Sequence, residues 1–99
     1  MINSYIITKS IYRAFAEQIA AKMEGLHYLS GVFSVADGDV VHRLESSIII
    51  YREAGSGEVV DLSDVWWDCY TIERQSDGEP RLKINDFDFA LLYKALMGR

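Results

Sequence analysis

Cysteine and proline each occur once in this chain and histidine twice, and no apolar run approaches the length of a membrane span. A solitary Cys69 excludes an intrachain disulfide and any cysteine-based metal cluster. The lack of cysteine pairs agrees with the expected location, the cytoplasm. The opening MINSYIITKS has no basic stretch followed by a sustained apolar core, so no secretory signal is expected. Positive charge is short as well: 10 Lys and Arg stand against 15 Asp and Glu, giving a net −5. A chain so balanced is repelled by phosphate backbones unless it hides a basic patch, so neither nucleic acid nor a membrane is an expected partner.

What the 99 residues do contain fits one domain spanning 1–99, with 49% hydrophobic and 25% charged residues. Twelve aromatic side chains supply much of the area that can offset chain entropy. The acids are concentrated. Between Glu53 and Asp88 ten of them face three bases (Arg74, Arg81, Lys83), a local charge of −7 that leaves the rest of the chain at +2. Such a run keeps a surface solvated, or it forms an acidic surface for a partner, even a mimic of nucleic acid.

The segment Thr8–Gly25 reads as a helix, with Ile11, Phe15, Ile19 and Met23 recurring every four residues. Thr8 or Ser10 can supply the N-cap and Gly25 a left-handed C′ residue. Ser4–Ile7 fits either a short strand or an extra helical turn. A strand follows over His27–Ala36, then the hairpin signal Asp37-Gly38, then a return strand over Val40–Arg52. A register placing Val35 opposite Val40 gathers Leu29, Phe33, Leu44, Ile48 and Ile50 on one apolar side, with Arg43, Glu45 and Ser47 on the other. Ala54–Gly57 breaks the chain, and a third strand runs from Val59 through Ile72. Ser76–Glu79 is a turn signal, Pro80 fits an edge, and Arg81–Ile84 can form a short fourth strand. Asn85 or Asp86 caps a final helix ending at Gly98, with Phe89, Leu92 and Leu96 on its stripe and Phe87 and Leu91 beside it.

The stretch SDVWWDCYTIE is the most informative in the chain, because adjacent strand residues point to opposite faces of a sheet. In simple register Ile50 faces Val60 and Leu44 faces Trp66, which puts Trp66, Tyr70 and Ile72 on the helix side. Trp67 then lies on the other side with Val41, Ile49, Tyr51 and Cys69, across from Arg43 and within reach of a cation–π contact. A bulge at Ser63-Asp64 exchanges the tryptophans and still leaves one facing away. That face is either covered by the final helix or serves as a contact surface.

The same register sets His42 opposite Asp68, the raw material of acid–base catalysis, with no third member to complete a catalytic set. Cys69 has no basic neighbour to form a thiolate. Asp37-Gly38-Asp39 and Asp86-Phe87-Asp88 do not extend to a calcium loop, and Gly55-Ser56-Gly57 lacks the third glycine and the helix of a dinucleotide loop. In element order alone, α-β-β-β-α, the chain resembles the double-stranded-RNA-binding fold and small toxin-like RNA-cleaving proteins that share that layout. Where that domain clamps phosphates with lysines at the start of its last helix, this chain has Asn85-Asp86-Phe87-Asp88, which favours the helix N-terminus and opposes a phosphate.

The sequence thus predicts a two-layer α+β domain, an antiparallel sheet of three to four strands with N- and C-terminal helices. The expected function is non-enzymatic: contact with a second copy, as a homodimer, or with another protein through Trp67, Ile49, Tyr51, Arg43 and Val41. The alternatives are a small hydrolase or nuclease using His42 with Asp68, and an acidic binding or mimic protein acting through 53–88. No cofactor or metal is expected.

Overall fold

The structure, a computed structural model, describes residues 4–74 and 78–98. The chain runs α1 (Lys9–Met23), β1 (Tyr28–Asp37), β2 (Val40–Arg52), β3 (Val59–Arg74), β4 (Pro80–Lys83) and α2 (Phe89–Met97). The strands form one antiparallel sheet in the order β1-β2-β3-β4. α1 packs on α2 and on β1, and α2 packs on β3, so both helices lie on one face. The two-layer α+β expectation holds, with four strands. The turn expected at Ser76–Glu79 overlaps residues 75–77, outside the described residues.

α1 buries Ile11, Phe15, Ile19 and Met23, joined by Tyr12 and Ala16. Thr8 is its N-cap, and Gly25 follows its end at φ 75°, a conformation that costs glycine little. Arg52 closes this corner, donating to the carbonyls of Met23, Leu26 and Gly57 at 2.6, 2.9 and 2.7 Å. A cation on the last helical carbonyls complements the helix dipole.

The β1–β2 hairpin is tighter than the sequence register. Asp37 pairs with Val40 across a two-residue turn at Gly38-Asp39, so Val35 faces His42 and Phe33 faces Leu44. Gly38 has φ 62° at the first central position, which type II′ turns reserve for glycine. The slip is two residues, one full pleat, so every side chain keeps its expected face.

β3 departs more. Ser47 pairs with Trp66 but Ile48 with Asp64, leaving Val65 bulged out, and a second irregularity leaves Val60 unpaired. The first reverses which residues of β3 face the helices. Without it, the Ile50–Leu62 register would aim Asp68 at the core beside Leu44. Burying an unpaired carboxylate costs several kcal/mol, on the order of what one domain has to spare. With it, Asp68 turns out and Trp67, Cys69 and Thr71 turn in.

The expected cap of the last helix is also corrected. Asp88 is the N-cap, accepting from the Ala90 N–H at 2.9 Å. Asp86 accepts from the Ile7 N–H at 2.7 Å, and Asn85 reaches the Cys69 carbonyl and Thr71 Oγ1, each at 2.9 Å. These contacts tie the segment before α1, where Tyr5 bridges Asn85 in parallel, to the end of the sheet. Phe87, Phe89, Leu92 and Leu96 complete the core, while Leu91 stays exposed.

Candidate functional site

Trp67, expected on the open face, packs inward on Phe87 and Phe89 at ring-centroid distances of 5.0 and 6.4 Å. Trp66 is the outward one and remains 50% exposed. Arg43 accordingly pairs with Tyr70, not Trp67. The signal that could have settled this lies one residue on: only a register that turns Asp68 outward avoids burying its charge.

The outer face carries side chains in rungs fixed by the pairing. Tyr51 lies opposite Asp61, and the next rung is Tyr28, Ile49 and Ser63, with the bulged Val65 beside it. Ser30, Ser47 and Trp66 follow, the two serine hydroxyls 2.9 Å apart. At the far end sit Ala36, Val41, Ile72 and Leu82, the last 70% exposed. Two apolar ends therefore flank a polar waist. Tyr28 and Leu82 belong to this surface although the sequence reading did not single them out, and Trp66, expected on the helix side in simple register, lies on it as the bulge alternative allowed; Ile49, Tyr51 and Val41 lie on it as expected.

The waist has two rungs: Val32-Glu45-Asp68 and Ser34-Arg43-Tyr70. Arg43 reaches Glu45 at 3.6 Å. The Tyr70 phenol is raised above its usual pKa by its hydrogen bond to Asp68, with a smaller contribution from Glu45. Two carboxylates stand side by side here, held by one guanidinium and one hydroxyl.

His42 and Asp68 do not form a pair. His42 pairs with Thr71 on the helix side, and its imidazole is 0% exposed, whereas Asp68 points out of the opposite face. A ring that no substrate can reach does not act as a catalytic base. His42 Nδ1 lies 3.0 Å from Thr71 Oγ1, which also accepts from Asn85, and the Tyr5 ring stands edge-on at 6.4 Å. The other ring nitrogen, Nε2, has no hydrogen-bond partner among the described residues. Burial lowers the His42 pKa, partly offset by the charge of Asp37. Cys69 is half-buried on the same side, where burial, aided by Asp68, pushes its thiol up to about 12. It stays a thiol at any physiological pH.

Among the described acids of 53–88, four are engaged with separate partners. Asp61 accepts from Tyr93 at 2.6 Å, Glu73 accepts from Tyr5 and pairs with Lys83, and Asp86 and Asp88 hold backbone N–H groups. Between the helices, on the far side of the molecule, a groove of about 400 Å³ is lined by Ile7, Tyr12 and Leu91 with Lys9, Arg13 and Lys94. It is open and shallow, and the hydroxyl of the buried Tyr12 in its lining already accepts from the Asp88 N–H at 2.9 Å. Among the described residues, no helix is long and apolar enough to cross a membrane. Compared with known proteins, the chain matches no family model, no curated protein and no solved structure.

Proposed function

We propose that this is a non-enzymatic interaction domain that self-associates through the outer face of its sheet, with Trp66 as the central apolar anchor. One observation carries the reading: both helices cover the same face, and the apolar side chains of the other are left open to solvent. Tyr28, Val32, Val41, Ile49, Tyr51, Val65, Trp66 and Leu82 together expose on the order of 800 Å², set in two clusters on either side of the charged waist. Trp, Tyr and Arg, all present here, are the residue types in which binding energy concentrates.

Sedimentation equilibrium of the wild-type protein and of Trp66→Glu tests the proposal. At roughly 100 µM, where an interface with a Kd near 1 µM is nearly saturated, the wild type is expected at twice the protomer mass. Trp66→Glu is expected to sediment as a protomer with an unchanged circular-dichroism spectrum. A wild type that stays a protomer at that concentration contradicts the reading.

A further inference from the structure

We infer that the outer face docks on a second copy about a two-fold axis running across the strands, between the Glu45–Asp68 rung and the Arg43–Tyr70 rung. This rests on the self-association proposed above and specifies how the two copies meet.

A sheet face can be laid on its own copy about an axis along the strands or about one across them. An axis along the strands, between β2 and β3, keeps each rung at its own height. Glu45 then faces the second copy's Asp68, and four carboxylates meet at the centre, since the two acids already stand side by side within each protomer. Like charges brought together in a drying interface cost several kcal/mol. An axis across the strands reverses the order of the rungs. Glu45 then faces the second copy's Arg43, and Asp68 faces its Tyr70, on both sides of the axis. The next rungs outward bring Trp66 over Ile72, an aromatic on a β-branched side chain. One arrangement sets acid against acid, and the other sets each Glu45 against a guanidinium and keeps the carboxylates of the two copies apart.

The donor that Glu45 needs is present. Among the described residues Arg43 makes one ion pair, a long one of 3.6 Å to Glu45, and its side chain is half exposed. A guanidinium carries five N–H donors, so it can hold Glu45 of its own protomer and still reach across. Two sheets packed face to face sit about 10 Å apart with strands offset by about 30°, a gap that Arg and Glu side chains span together. Trp66 and Ile72 flank the charged pairs and exclude water from them, which sharpens the penalty for a mismatch.

Charge reversal separates this geometry from self-association in general. In Arg43→Glu, the acid introduced at 43 faces Glu45 of the other copy; in Glu45→Arg, the base introduced at 45 faces Arg43. Each variant alone is expected to dimerise at least about tenfold more weakly than wild type. Mixed one to one, the two variants place opposite charges at both contacts, and native mass spectrometry is expected to show the mixed dimer with affinity within about threefold of wild type. The mixture matters because the two substitutions, on separate chains, cannot repair each other within one protomer. If wild type dimerises and both single variants do so equally well, or if the mixture stays monomeric, the axis is wrong while self-association stands. If wild type stays monomeric, self-association itself fails and this inference with it. Far-UV circular dichroism of each variant confirms that it is folded.

Discussion

Trp66 and Trp67 are chain neighbours with opposite energetic roles, and substitution separates them. Trp67→Ala removes an indole from its stack on Phe87 and Phe89 and is expected to lower unfolding free energy by about 2–4 kcal/mol. Trp66→Ala, measured under dilute conditions, is expected to change it by less than about 0.5 kcal/mol. Equal losses in urea denaturation would contradict the assignment of faces. His42 gives a second test at this scale. Its pKa in the folded chain lies below that of the unfolded chain, so the unfolded state binds the extra proton. The stability linked to neutral His42 is complete above the unfolded value of about 6.5 and is lost as pH falls toward the lower folded value. His42→Gln should flatten that part of the pH profile, and the native imidazole should titrate below about 6.5 by NMR. An imidazole titrating above that value would contradict its burial. Sequence reading went astray here for a physical reason. Simple alternation favours a plain register over the bulge at Ser63-Asp64 that exchanges the tryptophans, and it takes no account of the cost of burying Asp68. That single charge decides that His42 meets Thr71, not Asp68, and that Trp66, not Trp67, is outward.

At the scale of elements, the helices and the first hairpin were legible because each carries concordant signals. α1 has a four-residue apolar repeat between a Thr8 cap and Gly25, and the hairpin has Asp37-Gly38-Asp39 between alternating runs. β3 was less so, because its bulge appears as a break in pairing and its cue in the sequence is the single charge at Asp68. Its importance can be measured. Deleting Val65 forces either Asp68 into the core or the Leu62 half of the strand out of register. The expected loss is about 3 kcal/mol or more, enough to threaten folding. A deletion variant as stable as wild type in urea would mean the bulge does not hold the faces apart. The segment after β4 was misread as a helix cap because Asn85 and Asp86 are capping types; its true partners lie far away in sequence, on β3 and before α1. Asn85→Ala strips the donors from the Cys69 carbonyl and Thr71 Oγ1 and is expected to cost about 1–3 kcal/mol by thermal denaturation. A cost near zero would show that these acceptors find other donors.

For the whole molecule, an open sheet with helices on one side only gives an elongated protomer, 54 × 23 × 21 Å, whose second face has no roof among the described residues. Sequence reading anticipated the two-sided apolar character and the helices on one side, but not the division of the open face into apolar ends and a charged waist. That division follows from the β3 register. If the face is covered by a second copy, burial there links folding to association, and the melting temperature rises with protein concentration. The most direct test follows Trp66 itself. In a Trp67→Phe background, Trp66 is the only indole, and its emission and acrylamide quenching report on the face at each concentration. The account predicts a water-exposed indole in dilute solution that becomes blue-shifted and protected as the mass doubles. An indole that stays red-shifted and quenchable up to roughly 100 µM, or one already shielded in the isolated protomer, would contradict it.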